Sequence, residues 1–204
     1  ETVLLNNDLF ELEREENREV FRILQTLSAN ISASLSTLNN YQEILASYDL
    51  IRSKALLAMK MDAVMPILGN KGEIYYKDAY HPLLLLKNLA MKKETVPFEV
   101  EIDKKQSILL ISGPNAGGKS VCLKAVGLMQ MMLQFGLLLP CDGNSKVLLF
   151  EQIFADLGDK QSIEDELSTY SSHLFLMKNF LKRANGKTLF LIDEFGTGTD
   201  PRLG

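Results

Sequence analysis

The stretch Gly113-Pro-Asn-Ala-Gly-Gly-Lys-Ser120 fits the pattern G-x-x-x-x-G-K-S and decides how the rest of the chain is interpreted. The apolar run Ser107-Ile-Leu-Leu-Ile-Ser112 comes directly before it, and apolar residues at helical spacing follow it. Strand, glycine turn and helix in this order predict a phosphate-binding loop, because glycines let successive N–H groups point inward and a helix N-terminus attracts anions. Lys119 would reach the β- and γ-phosphates, and Ser120 would hold Mg²⁺. A chance glycine turn is the competing interpretation, and the flanks disfavour it.

A pair of carboxylates ends a second apolar run, Thr188-Leu-Phe-Leu-Ile-Asp-Glu194. Parallel sheets bind their ligands at the C-terminal ends of strands. We therefore expect Asp193 to hold Mg²⁺ opposite Ser120, and Glu194 to polarise the water that attacks the γ-phosphate. An acidic turn after a strand is common by itself, so this prediction depends on the phosphate loop. ATP and Mg²⁺ are the predicted cofactors.

Composition sets broad limits on the function. The 204 residues are 46% apolar, which is enough for a real core, and the net charge of −4 gives no overall attraction for nucleic acid or an anionic membrane. No stretch reaches the length of a membrane span. Cys122 and Cys141 lack metal-like spacing, so we expect reduced thiols in a cytoplasmic protein. A chain that begins with Glu and ends at Gly204 after a loop motif is expected to be a piece of a longer protein.

Residues 1–65 are predicted to form a helical lever or arm. Asn6-Asn7 would cap a helix that begins near Asp8, Asn39-Asn40 would kink or break it, and the apolar stripe continues to about Met61. Acidic and basic residues three apart, such as Glu19 and Arg22, indicate a solvated helix face.

Residues 66–204 are predicted to form a nucleotide-binding domain. The expected elements are a short strand over 72–76, an extended or turn segment at 81–82, an edge strand over 96–102, a buried strand over 107–112, a helix over 119–135 ended by Gly136, a strand over 146–154 and a helix from Ser168 to about 184. His81 and His173 lack metal-ligand partners at usable spacing and are expected to be structural.

Three motifs together resemble the MutS family of DNA mismatch-repair ATPases. They are the phosphate loop, then Phe154-Ala-Asp-Leu-Gly-Asp-Lys-Gln161 continuing to Leu167-Ser-Thr-Tyr-Ser-Ser-His173, and then Leu189-Phe-Leu-Ile-Asp-Glu-Phe-Gly-Thr-Gly-Thr-Asp-Pro201. The last two look like the bacterial paralogue branch that lacks mismatch-recognition domains and is linked to suppressing recombination. The resemblance covers nearly the whole chain.

The resemblance implies an α/β fold: an ABC-type P-loop NTPase domain with a mixed sheet over residues 66–204, preceded by the long α-helical arm. It implies a homodimer in which Ser168 and Thr169 close over the γ-phosphate bound to the other subunit. Gln161 would touch Mg²⁺ or the attacking water, although a plain turn residue is nearly as good an interpretation. Phe98 would pack the adenine ring, but a strand phenylalanine is more often core. The implied nucleotide-binding residues are Gly113, Pro114, Asn115, Ala116, Gly117, Gly118, Lys119, Ser120, Val121 and Phe98.

The implied function is an ATP-driven dimer clamp coupled to DNA binding, in mismatch repair or suppression of recombination. DNA would be contacted by regions outside this chain, and any nuclease activity would come from domains outside it. One alternative is another ABC-class ATPase, of the transporter or chromosome-maintenance type. About fifty residues between Ser120 and Ser168 leave little room for a transporter's helical subdomain. The other alternative is a nucleotide-binding switch without turnover.

Overall fold

The computed structural model describes residues 2–69, 72–103, 105–114, 117–157 and 166–193, with residues 166–173 described by their backbone alone. Its elements, in chain order, are α1 (Thr2–Ser32), α2 (Leu35–Met61), β1 (Ile67–Leu68), β2 (Ile74–Ala79), α3 (Pro82–Ala90), β3 (Phe98–Ile102), α4 (Lys119–Gln134), β4 (Lys146–Val147), β5 (Gln152–Asp156), α5 (Glu166–Arg183) and β6 (Thr188–Ile192). The chain divides into two compact units, Glu1–Ser53 and Lys54–Gly204. The predicted boundary at residues 65 and 66 stays a prediction.

The first unit is helical, as predicted, but its helix boundaries differ from those expected. α1 begins at Thr2 and contains Asn6-Asn7, while the chain turns at residues 33–34 and leaves Asn39-Asn40 inside α2. Both asparagine predictions were therefore wrong, because an asparagine inside a helix costs less than about 0.7 kcal/mol relative to alanine and neighbouring residues override it. None of residues 2–32 is buried. The expected Glu19–Arg22 pair forms on this exposed surface, with Arg22 Nε 2.8 Å from Glu19 Oε2.

The second unit contains a four-stranded mixed sheet in the order β1-β4-β2-β3. β1 and β4 are parallel, whereas β2 is antiparallel to both β3 and β4. β3 is an edge strand, as its alternating pattern predicted. The predicted α/β class with a mixed sheet is therefore confirmed.

The predictions for residues 146–154 and 81–82 of this unit were wrong. The single strand expected over 146–154 is two strands in different sheets, β4 and β5, separated by residues 148–151. An apolar run does not reveal such a change of sheet, because both strands are partly buried. His81-Pro82 begins α3 instead of an extended or turn segment: Pro82 takes the first helical position, and His81 Nδ1 accepts a hydrogen bond from the Leu84 N–H at 3.4 Å.

α4 is packed into the main hydrophobic core. Its buried Met129, Met132 and Leu133 join the fully buried Tyr76 of β2 and Val147 of β4. The helix ends as predicted at Gly136, which has a φ of 68°. The Gly136 and Leu137 N–H groups donate to the carbonyls of Leu133 and Met132, so the last turn ends in a Schellman motif.

β5, α5 and β6 form a parallel strand–helix–strand unit. Phe180 of α5 stacks on Phe154 of β5 with ring centroids 4.5 Å apart, and Phe190 of β6 lies 5.6 Å from Phe154. α5 begins at Glu166, so Ser168 lies inside the first turn and does not precede the helix as its N-cap. The helix therefore begins two residues before its predicted start at Ser168.

Candidate functional site

The phosphate loop has the backbone that its glycines predict. Gly113 has a φ of 144° and Gly118 a φ of 82°, conformations that other residues rarely adopt. The Gly117 N–H donates to the Pro114 carbonyl at 2.9 Å, and α4 begins directly afterwards with Gly118 as its N-cap. Gly118 supplies no side-chain cap, and a helix leaves its first N–H groups without intrahelical acceptors. The loop therefore presents backbone donors at the positive end of a helix.

Lys119 folds back over this loop. Its Nζ donates to the carbonyl of Gly113, the first residue of the motif. Ser120 is half-buried in the first turn of α4, and Val121 beside it is exposed. The ammonium and the hydroxyl therefore lie at the same end of α4 as the backbone donors.

The segment before the loop differs from its prediction. Residues 107–112 form no strand with any part of the chain that the structure describes, and Ile108 and Leu110 are 84% and 87% exposed. The prediction of a buried strand was therefore wrong. A buried strand needs a neighbouring strand to bond its N–H and C=O groups, and no described residue provides one for this segment.

α4 and β6 run antiparallel, which brings the N-terminus of the helix and the end of the strand to one side of the molecule. Near the C-terminus of α4, Gln134 bonds to the Phe150 carbonyl, and the adjacent Glu151 N–H donates to the Lys187 carbonyl just before β6. Further towards the N-terminus of α4, a Cβ on Gly127 would stand 2.7 Å from Leu191 Cδ1. Ser120 and Asp193 both lie beyond this close contact, in the same direction.

Asp193 follows β6 directly and is half-buried. Its N–H donates to the Asp156 carbonyl at 2.9 Å, so the two residues end neighbouring parallel strands. The sequence reasoning did not single out Asp156. The only signal for Asp156 in the sequence was an acidic residue just after a strand-like run. In the structure Asp156 pairs with Ile192, the residue before Asp193.

The other predicted site residues lie on β3 and α5 or outside the described ranges. Phe98 is half-buried against the hydrophobic core on β3, which agrees with the core interpretation, and its adenine contact stays a prediction. Ser168 and Thr169 lie in the first turn of α5 by their backbone. The residues outside the described ranges are Asn115, Ala116, Gln161 and Glu194.

His81 and the two cysteines were predicted to have structural roles. His81 caps α3, and burial lowers its pKa, which favours the neutral ring that accepts the Leu84 hydrogen bond. Cys122 and Cys141 are free thiols, as expected, and burial raises the pKa of both. In the described ranges, no three His, Cys, Asp or Glu side chains gather as a metal-binding group. Nor does any helix there have the length and apolar character to cross a membrane.

Comparison with known proteins places these motifs in a family. Residues 109–204 match the model of MutS domain V. The whole chain is 42% identical to a protein named Endonuclease MutS2 from Finegoldia magna, and 99% of it is 40% and 41% identical to proteins of the same name from Halothermothrix orenii and Alkaliphilus metalliredigens. The chain spans 25% of the length of each of these relatives. The resemblance predicted from the three motifs is confirmed, and the chain belongs to the MutS family.

Proposed function

We propose that this chain is the ATP-binding and ATP-hydrolysing part of a MutS-type protein. The observation that carries the proposal is the arrangement of α4 and β6: a glycine loop with backbone donors and Lys119 opens the helix, and Asp193 ends the neighbouring strand on the same side. The backbone N–H donors and the Lys119 ammonium suit a triphosphate, and the Asp193 carboxylate suits the metal ion that accompanies it.

Nucleotide is held by residues 113–121. The Lys119 ammonium exchanges the Gly113 carbonyl for the β- and γ-phosphate oxygens, which are stronger acceptors because they are charged. Asn115 and Ala116 complete the loop, and Phe98 is assigned to the adenine ring. Because Phe98 already contacts the core, it would offer the ring one face or edge without moving far.

The residues present fit a magnesium ion. Mg²⁺ takes hard oxygen ligands and is bound by one or two carboxylates, waters and substrate phosphates, so it does not need a cluster of three acids. Ser120 and Asp193 would hold it. When bound, the ion neutralises charge that develops on the phosphate oxygens. Glu194 is the general base for the attacking water, and Gln161 positions that water or the ion.

The length of α5 supports a role for Ser168 and Thr169 across a dimer. α5 runs antiparallel to β5, since Phe180 stacks on Phe154 and Asn185 after the helix bonds to Glu151 before the strand. From Phe180 back to Ser168 the helix extends about 18 Å, whereas β5 extends about 7 Å from Phe154 to Asp156. Ser168 therefore reaches past the strand end, where it would meet the nucleotide of the other subunit of a homodimer.

The larger activity follows from this assignment. ATP binding closes the dimer and hydrolysis reopens it, and the α1–α2 arm passes the motion to regions outside this chain that bind DNA. The process served is mismatch repair or suppression of recombination in the cytoplasm. We assign any endonuclease activity, the activity for which the relatives are named, to regions outside this chain.

One observation favours a second candidate, a nucleotide-binding switch without turnover. The segment 107–112 leads directly into the loop and is exposed, so within the described residues only the helix side anchors the loop. Such a loop could bind nucleotide and still fail to hold the γ-phosphate in line with the attacking water.

Lys119→Ala tests nucleotide binding, with Lys124→Ala on the same helix as the matched control. Calorimetry with Mg·ADP should find binding to the parent and to Lys124→Ala, and a Kd at least about 100-fold weaker for Lys119→Ala, since a charge-assisted phosphate contact is lost. Equal affinities for Lys119→Ala and the parent would remove the phosphate-loop assignment.

Glu194→Gln separates turnover from binding. In a longer polypeptide that includes this chain, single-turnover hydrolysis should slow by about 10²-fold or more while the affinity for ATP stays the same, because a general base is lost. Hydrolysis at the parental rate would show that Glu194 is not the base, and no hydrolysis by the parent would favour the switch.

A further inference from the structure

Two glutamines of α4 bind the backbone of a segment that leads from one sheet to the other. Gln130 Nε2 donates to the Leu148 carbonyl and Gln134 Nε2 donates to the Phe150 carbonyl, both at 2.7 Å. Residues 148–150 lie between β4 and β5 and pair with no strand in the described ranges. Side chains of the helix thus take the place of a neighbouring strand for these carbonyls.

The spacing of the two bonds is the one expected for a helix beside an extended chain. Four residues of helix rise about 6 Å, and two residues of extended chain rise about 6.6 Å. Carbonyls two residues apart in an extended chain point to the same side, and glutamines four apart lie on one helix face. Both bonds can therefore form together in one register, and the next matching register is a whole helical turn away.

Gln130 is bonded at both ends of its amide. It is 1% exposed, and its Oε1 accepts a hydrogen bond from the Tyr76 hydroxyl of β2 at 3.2 Å. Moving α4 along its axis would break the bonds of two buried groups, the Gln130 amide and the Tyr76 hydroxyl, and of the carbonyl of the half-buried Leu148. This makes Gln130 the more resistant of the two contacts to sliding.

We propose that Gln130 and Gln134 are positioning residues that hold α4 in a single register against residues 148–150. The helix is continuous from Lys119 to Gln134, so its register sets where Lys119 and Ser120 stand relative to Asp193 at the end of β6. The functional half of this inference rests on the proposed nucleotide site. Neither glutamine touches the nucleotide, and both act through the position of the helix.

Variants of Gln134 test the donor directly. Gln134→Glu has nearly the same shape but no donor, while Gln134→Lys restores a donor to Phe150. Residue 134 lies about 21 Å along the helix from Ser120, beyond the Debye length of about 8 Å, so the added charges act little on the phosphates. Mg·ADP should bind Gln134→Glu about 5-fold more weakly than the parent and Gln134→Lys within 2-fold. The proposal would be overturned if Gln134→Glu and Gln134→Lys bound Mg·ADP with the same affinity as each other.

Gln130 is tested without leaving an orphaned hydroxyl. The double variant Tyr76→Phe/Gln130→Met keeps nearly the same buried volume and removes both partners of the hydrogen bond between these residues. Thermal melting checks that it is folded. We expect Mg·ADP to bind the folded double variant about 10-fold more weakly, and Tyr76→Phe alone to bind within 2-fold of the parent. A folded double variant with parental affinity would contradict a positioning role.

A nuclear magnetic resonance measurement separates this inference from the proposed function. Scalar coupling across the hydrogen bonds, from the two side-chain amide nitrogens to the Leu148 and Phe150 carbonyl carbons, should be present in the parent. If the coupling is present but the parent binds no nucleotide, the register stands and the proposed function fails, together with the functional half of this inference. If nucleotide binds and the coupling is absent, the register is wrong.

Discussion

The two flanks of the phosphate loop are built very differently. α4, on the C-terminal side, buries much of one face in the main core and has its last turn closed by a Schellman motif. The segment 107–112, on the N-terminal side, is just as apolar, yet it is exposed and unpaired within the described structure. The difference shows what each kind of element needs. A helix satisfies its backbone within itself, whereas a strand depends on a neighbour elsewhere in the chain or outside it.

Amide hydrogen exchange should give the largest contrast between the flanks. We expect the amides of residues 108–111 to exchange near their intrinsic rates and those of Val126 to Met132 to be slowed by on the order of 10³-fold or more, because helix amides in a core open only with much of the fold. Mass spectrometry of fragments that separate the two segments would measure this. Strong protection of residues 108–111 would mean that they pair with a strand after all.

A matched pair of leucines tests the same contrast by stability. Leu133 of α4 is 6% exposed and Leu110 is 87% exposed. Leu133→Ala should lower the free energy of unfolding by about 2–4 kcal/mol through lost burial and a cavity, and Leu110→Ala should change it by less than about 0.5 kcal/mol. Urea unfolding of both variants gives the comparison. Similar losses would place Leu110 in a packed environment.

This contrast also explains which predictions from sequence succeeded. α4, its end at Gly136 and β6 follow from local signals: helical spacing, a glycine after the last apolar residue and a short β-branched and apolar run. The loop conformation follows in the same way, because glycine positions dictate it. The family could be predicted as well, since its motifs are recognised from residue types and their order alone.

The failures depended on partners that a local pattern does not show. The apolar run 107–112 predicts a buried strand, and the run 146–154 predicts one strand because nothing local marks the change of sheet. Only the β5–β6 register shows that Asp156 is a neighbour of Asp193. Gln130 likewise looks like any polar helix residue until Tyr76 and Leu148 are placed around it.

Gly127 offers a way to disturb the contact between the packed flank and β6. A Cβ there would stand 2.7 Å from Leu191 Cδ1, and Leu191 is 4% exposed and has little room to move. Overpacking of about 1–3 kcal/mol should exceed the gain of up to about 1 kcal/mol from alanine in a helix, so Gly127→Ala should destabilise by about 1 kcal/mol.

Gly143→Ala is the control for Gly127→Ala, because nothing lies within 4 Å of its added Cβ. It should leave the urea midpoint unchanged or raise it slightly. Adding Leu191→Val to Gly127→Ala should cost less than the sum of the two single changes, since the shortened side chain relieves the contact. Additive losses would mean that Gly127 and Leu191 do not constrain each other.

The smallest expected effect concerns the end of α4 that faces away from the loop. Lys54 Nζ donates to the Phe135 carbonyl at 2.6 Å, adding a cation to the negative end of the helix. Lys54→Met should lower the free energy of unfolding by about 0.3–1 kcal/mol, and Lys54→Arg, which keeps the charge and donors, should lower it less. Urea unfolding at 0.05 M and 1 M salt distinguishes the cause, because the Debye length falls to about 3 Å at 1 M and the gap between the two variants should narrow. If the difference in stability between Lys54→Met and Lys54→Arg does not change with salt, the effect comes from packing of the lysine stem. The stability of α4 would then come from burial and its own hydrogen bonds, with no contribution from the Lys54 charge.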